Sequence, residues 1–310
     1  MTTTPVFSDS PTPRPLPSWR RMRKHILPGF GLSLGYTLFG LSLIVLFPLA
    51  ALFHRAFVLP PEAIAAGETS PLHFIWATIT EPEVLDSYRV SLESSLFAAL
   101  LNGVFGFIIA WVLSRYEFPG RRLLDALVDL PFALPTAVAG IALTELYAPN
   151  GWIGSLLAPY GIRVAFTQTG ITVALIFIGL PFVVRTVQPV IQSLHADVEE
   201  AAACLGADRW QTFVRIILPA LIPAWITGIT LAFGRAVGEY GSVVFIAANI
   251  PFRTEIAPIL IIHKLEQFNY AGAAAIGGAM ILFSILILTV VTTLQRWHSH
   301  RTSSQGGDES

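Results

Sequence analysis

Cysteine, lysine and charge are all scarce in this 310-residue chain. Cys204 stands alone, which excludes an intramolecular disulfide and a cysteine-based metal cluster. It reads as a small apolar side chain. Of the two lysines, Lys24 follows Arg23 and Lys264 follows His263. No Gly-Lys pair exists, so the chain has no Walker A loop to hold a nucleotide phosphate. The seven histidines include no H-E-x-x-H pair, and none falls deep in an apolar run. A metal or intramembrane protease site therefore has no support. Gly31-Leu-Ser-Leu-Gly35 fits the spacing of a hydrolase nucleophile. It lies in an apolar run without the strand–turn–helix setting, and reads better as Gly-x-x-x-Gly helix packing. Charged residues make up only 13%, against about 25% in soluble domains. The net charge of −1 carries no information about partners.

Apolar residues fill the space that charge vacates. They account for 54% of the chain, and mean hydropathy is +0.65. About 20 consecutive apolar residues cross a bilayer. Six runs meet that length: 30–53, 90–113, 126–148, 166–184, 221–246 and 273–294. Open sheets cannot face lipid, so these runs predict an all-α integral membrane protein with six transmembrane helices. The first run is too long for a signal peptide and has no cleavage site after it, so it is expected to be retained. With the N-terminus inside, 13 of the 19 basic residues fall on cytoplasmic segments and five on outer ones. This bias predicts both termini in the cytoplasm. Residues 1–29, rich in Pro, Ser and Thr and then basic, read as a disordered cytoplasmic tail. Residues 30–297 read as the membrane domain, and 298–310 as a polar tail. Pro119-Gly120 and Asn150-Gly151 read as turns.

Between the fourth and fifth runs lies EAAACLGADRWQTFVRIILP. Asp197 is placed to cap one short helix, with Glu200 three residues on. Gly206 suits the left-handed position that ends it. Asp208 and Gln211 repeat the capping spacing for a second helix, which Pro219 is expected to interrupt. The result is a compact helical knuckle over 195–219, on the cytoplasmic side by charge. The order Glu200, Ala201, Ala202, Gly206, Ile216, Leu218, Pro219 resembles the coupling loop of bacterial ABC importer permeases. The resemblance implies that these residues insert into a cleft on a separate ATP-binding subunit. ATP and magnesium would then be bound by that subunit, and this chain would hold no cofactor.

Two further segments are candidates for the transport path. In GRAVGEYGS, Arg235 falls near the middle of the fifth run, where a charge is costly. Glu239 is one turn away and able to pair with it. Gly234 and Gly238 read as close-approach positions, with Tyr240, Gly241 and Ser242 alongside. A structural ion pair and direct contact with a translocating anion both fit the residues. In DLPFALPTAVAG, Pro131 and Pro135 predict a kinked or broken helix with Thr136 at the break, as in interrupted spans that line cavities. Asp125 and Asp129 share a face and are expected to be solvated near the inner boundary.

These stretches, with LLDALVDLPFALPTAVAGIALTELYAPNGWIG and EIAPILIIHKLEQFNYAGA, resemble the T-type permease subunit of bacterial sulfate/thiosulfate importers across roughly residues 30–297. Related molybdate and tungstate permeases share the knuckle. The resemblance implies a second, W-type permease subunit, two ATP-binding subunits and a periplasmic sulfate-binding protein, with membrane lipid around the complex and no nucleic acid. It also implies alternating access in the bacterial inner membrane, with sulfate or thiosulfate as cargo. A secondary anion transporter would also bury Arg235 and Glu239, but would not need the knuckle.

Overall fold

The computed structural model describes residues 30–65 and 67–304, and the expected tail over 1–29 lies outside them. Among the described residues all regular structure is helical. The chain divides into two compact units, residues 1–51 and 52–310. The first unit holds α1 (Phe30–Leu41), a π turn (Ser42–Leu46) and the start of α2 (Phe47–Ala56). Gly31 and Gly35 lie within α1, which is the helical reading of that motif.

The second unit continues with α3 (Pro61–Ala65), α4 (Pro71–Ile79), α5 (Pro82–Arg115), α6 (Arg121–Val128), α7 (Leu130–Ala133), α8 (Thr136–Tyr147) and α9 (Trp152–Leu157). It ends with α10 (Gln168–Ser193), α11 (Ala196–Cys204), α12 (Arg209–Thr212), α13 (Leu218–Val237), α14 (Val243–Ile246), α15 (Ala257–Glu266) and α16 (Tyr270–Ser304). The Pro119-Gly120 and Asn150-Gly151 turns both form. The backbone of α16 stays helical through Ser304, across most of the expected polar tail.

Among the described residues five helices are long and apolar enough to cross a bilayer: Phe30–Ala65, Pro82–Arg115, Gln168–Ser193, Arg209–Val237 and Tyr270–Thr293. The sixth expected crossing, 126–148, is divided among α6, α7 and α8, with a break at Leu134 and Pro135. Pro135 cannot donate a ladder hydrogen bond, and it biases the residue before it toward extended backbone. Leu134 accordingly has φ −88° and ψ 136°. The broken crossing expected from the two prolines is therefore present.

The fifth crossing departs from expectation. It is not one helix over 221–246. α13 ends at Val237, the chain loops through Gly238–Ser242, and α14 resumes for one turn. Arg235 thus occupies the last turn of α13 instead of mid-helix. Pro219 does not interrupt its helix. A π turn over Phe213–Ile217 runs directly into α13, where Pro219 takes a first-turn position. Proline within a continuous helix removes a ladder bond and crowds the carbonyl one turn back, and here the π turn directly precedes it, a local change of winding that lets the helix run on.

α5, α10 and α13 form the centre of the bundle. Leu113, Val183, Val184, Val187, Ile191, Ile217 and Leu221 are buried together. Lipid is as apolar as these side chains, so close packing rather than escape from water holds such helices together. Gly106 of α5 and Gly228 of α13 both approach Val183 of α10 so closely that a Cβ at either would fall within 3 Å of it. The indole Nε1 of Trp225 donates to the Gly103 carbonyl at 2.8 Å, tying α13 to α5.

Candidate functional site

The two breaks meet. A Cβ on Gly241 would collide with the Thr136 hydroxyl, and one on Gly140 would collide with the Ser242 backbone. Only glycines let the loop between α13 and α14 lie against the start of α8. Gly234 and Gly238 play no such part, since neither has an atom within 4 Å of its Cβ position. Helical spacing put them on one face, but among the described residues no element packs against either position.

Glu239 organises the loop. Its side chain is 2% exposed. Oε1 accepts from the backbone N–H of Ser242 at 3.0 Å and from its hydroxyl at 3.1 Å. Oε2 lies 2.5 Å from Nη1 of Arg235. The carboxylate thus serves the Ser242 N–H in the stretch between α13 and α14. Arg235 is 34% exposed, and among the described residues its guanidinium has no other partner. Tyr240 is exposed, Ser242 and Pro131 are buried, and Thr136 is half-buried.

Asp125 and Asp129 are not merely solvated, as their place in the sequence suggested. Nε of Arg185 donates to Oδ1 of Asp129 at 2.8 Å, and Nη2 donates to Oδ2 of Asp129 at 2.6 Å and to the Asp125 carbonyl at 2.9 Å. Nη1 donates to Oδ1 of Asp125 and to Oε1 of Gln188, each at 2.7 Å. Sequence reasoning missed this because the partners are 56 and 60 positions apart. The usable signal was a lone arginine in an apolar helix, which has to find an acid.

The knuckle forms at the far end of α10. α11 ends in a Schellman turn: Ala207 N–H donates to the Ala202 carbonyl and Gly206 N–H to that of Ala203, both at 3.0 Å. Gly206 has φ +84°, a conformation that costs a side-chain-bearing residue. Asp208 and Gln211 make the expected capping box, with Gln211 N–H donating to Asp208 Oδ1 at 2.7 Å. The cap expected from Asp197 is absent. α11 starts after His195 without a side-chain cap, and Asp197 sits inside its first turn. An acid there still favours the helix dipole. Glu200 and Ala201 are exposed, Ala202 is buried, Ile216 and Leu218 are half-buried and Pro219 is exposed. Cys204 is exposed instead of packed. Leu205 and Trp210 are 89% and 72% exposed, an apolar display that sequence patterning did not single out. Glu199 reaches back 2.6 Å to Arg115 at the end of α5, whose guanidinium lies over Trp111.

A helical membrane protein with two interrupted crossings in contact, and a capped knuckle carrying exposed apolar side chains, is built as a transport permease subunit. Residues 102–304 match the family described as binding-protein-dependent transport system inner membrane component. The chain is 50% identical over 259 residues to the sulfate transport system permease protein CysT of Synechococcus elongatus, covering 84% of this chain and 89% of that one. It is 47% identical over 272 residues to the protein of the same name from Escherichia coli, covering 88% and 94%. A bacterial ABC transporter involved in the import of the acidic polysaccharide alginate superposes with TM-score 0.70 at 18% identity, covering 86% of this chain and 94% of that one. That likeness is one of fold. The chain belongs to the family of inner-membrane permease components of binding-protein-dependent transport systems.

Proposed function

We propose that this chain is the T-type membrane subunit of an ATP-driven sulfate/thiosulfate importer. The observation that carries the reading is identity near one half, over most of the chain, to relatives named sulfate transport permeases. The chain would pair with a W-type permease and two ATP-binding subunits, and would receive the anion from a periplasmic sulfate-binding protein. Nucleotide and magnesium would reside on the ATP-binding subunits. Both termini would be cytoplasmic, with the knuckle facing the ATP-binding subunits. A reporter fused after Arg296 would then be active only as a cytoplasmic reporter, and periplasmic activity there would overturn the orientation.

The knuckle residues Glu200, Ala201, Ala202, Gly206, Ile216, Leu218 and Pro219 would transmit closure of the ATP-binding subunits. Exposed Leu205 and Trp210 suit burial in a partner cleft. In the membrane, the Arg235 guanidinium would attract the anion while Glu239 fixes its position. Pro131, Pro135, Thr136, Tyr240, Gly241 and Ser242 would shape the path around it. An interrupted crossing beside a cation suits an oxyanion, because freed backbone groups and positive charge both serve a negative guest.

Reconstitution of the whole complex in proteoliposomes tests the reading. ATP-dependent sulfate uptake that thiosulfate inhibits is expected. Uptake of molybdate or tungstate without uptake of sulfate would replace the substrate assignment. Uptake without any ATP-binding subunit would replace the class with a secondary transporter.

A further inference from the structure

The fork at Arg185 joins the two ends of this machinery. A guanidinium has five N–H donors, and all five are engaged, on Asp125, Asp129 and Gln188. In one direction α10 runs from Arg185 to Ser193, and after Leu194 and His195 the knuckle helix α11 begins. In the other, the acids stand on α6 and at its junction with α7, directly ahead of the Leu134–Pro135 break and the contact of Thr136 with Gly241.

Apolar packing alone couples α6 to α10 weakly. α6 buries only Val128 and turns Leu123, Leu124 and Leu127 outward. α7 adds buried Pro131 and an edge-on contact of Phe132 with Phe182, 5.2 Å between ring centres. The charge-assisted fork is therefore the firmest and most directional link between the two elements. Pro181 and Pro189 lie one turn either side of Arg185 within α10. Missing ladder bonds make a helix easier to bend at such points.

We propose that Arg185 is a positioning residue for the transport step. It makes α6 and α7 follow α10, so that displacement of the knuckle reaches the break at Leu134–Pro135 and the Arg235–Glu239 loop lying against it. The proposal rests on the permease reading given above.

The test uses the full reconstituted complex and reads anions imported per ATP hydrolysed, beside co-purification of the ATP-binding subunit. Arg185→Lys keeps the charge but loses the two-pronged geometry. Asp129→Asn removes charge with little change in size, and Arg185→Gln removes charge and the fork together. Each should assemble and hydrolyse ATP, with imports per ATP reduced about threefold or more, the scale of coupling effects along such a connection. The exchange Arg185→Asp with Asp129→Arg should recover part of the ratio. An unchanged ratio in assembled Arg185→Lys and Arg185→Gln complexes would overturn the proposal. So would failure of every variant to assemble, which would make the fork a brace needed for folding. The ratio is measured with whichever oxyanion the unaltered complex imports, so a wrong substrate assignment leaves the readout intact. If Gly206→Val keeps a normal ratio while Arg185→Lys does not, the knuckle reading fails as the source of the displacement, and the linkage of α6 and α7 to α10 through the fork stands.

Discussion

Glu239 and Arg235 are an unequal pair: the glutamate side chain is almost wholly buried, while the arginine side chain, its guanidinium 2.5 Å away, is 34% exposed. Glu239 spends its other oxygen on Ser242, so its role is to hold Arg235 and the loop. Removing Arg235 strands a buried carboxylate, at roughly 3 kcal/mol or more, whereas removing Glu239 strands a partly exposed arginine and costs less. Arg235→Ala and Glu239→Ala should each lower the yield of assembled complex. Arg235→Leu with Glu239→Gln keeps the hydrogen bonds to Ser242 and leaves no charge behind. Assembly should then recover while anion uptake does not. Recovery of both would make the pair purely structural, and full activity of the single variants would remove it from the mechanism.

Gly206 supports a prediction from backbone geometry alone. At φ +84° a β-branched residue costs about 1–2 kcal/mol, and the Schellman turn that aligns α11 with α12 would open. Gly206→Val should insert into the membrane at a normal level but lose ATP-driven transport. Gly206→Asn, which tolerates left-handed backbone better, should retain more. Equal transport by all three chains would separate the turn from coupling.

The contact between the two breaks gives a paired prediction. Alanine at Gly241 would strike the Thr136 side chain, whereas alanine at Gly140 would strike the backbone of Ser242. Overpacking of this kind costs typically about 1–3 kcal/mol. Both substitutions should lower the thermal midpoint of the purified protein in detergent. Thr136→Ala should restore much of the loss for Gly241→Ala and little of it for Gly140→Ala, because backbone cannot be trimmed. Equal rescue of both would show that the loop shifts instead of clashing.

What the sequence revealed, and what it hid, divides by distance along the chain. The Schellman turn at Gly206 and the capping box at Asp208 depend on residues within five positions, and the spacing announced both. The break after Pro131 and Pro135 is equally local, since proline carries its constraint with it. The end of α13 at Val237 was hidden. Just beyond it Glu239 divides its oxygens between Arg235 and Ser242, an arrangement that an apolar run does not encode. The glycine spacing misled for a related reason. Gly234 and Gly238 share a face, but close approach requires an opposing element, and α8 arrives at Gly241 instead. Arg185, Asp125 and Asp129 were each visible as unusual charges, yet only folding made them one group. Asp197 lost its capping role because α11 starts one residue before it.

Glu255 supplies a prediction for pH. It lies in the loop before α15, 2% exposed, with Oε1 2.6 Å from Nδ1 of His263 and Oε2 buried without a partner among the described residues. Burial raises its pKa from the ordinary 4.5, and nearby Glu83 adds to the rise, while His263 and Lys264 oppose it. The folded protein therefore holds this proton more tightly than the unfolded chain. The sign follows from linkage: where the native state binds more protons, stability falls as pH rises. The contribution is fully present below pH 4.5 and is lost as pH climbs through the raised value. Glu255→Gln keeps the shape without the titration. The thermal midpoint of the variant in detergent should change less than that of the unaltered protein over this window, and should exceed it at the upper end. A His263→Asn control removes the imidazole and should leave the carboxyl-dependent slope in place. Identical pH profiles for the unaltered protein and Glu255→Gln would show that the buried carboxyl does not titrate differently on folding.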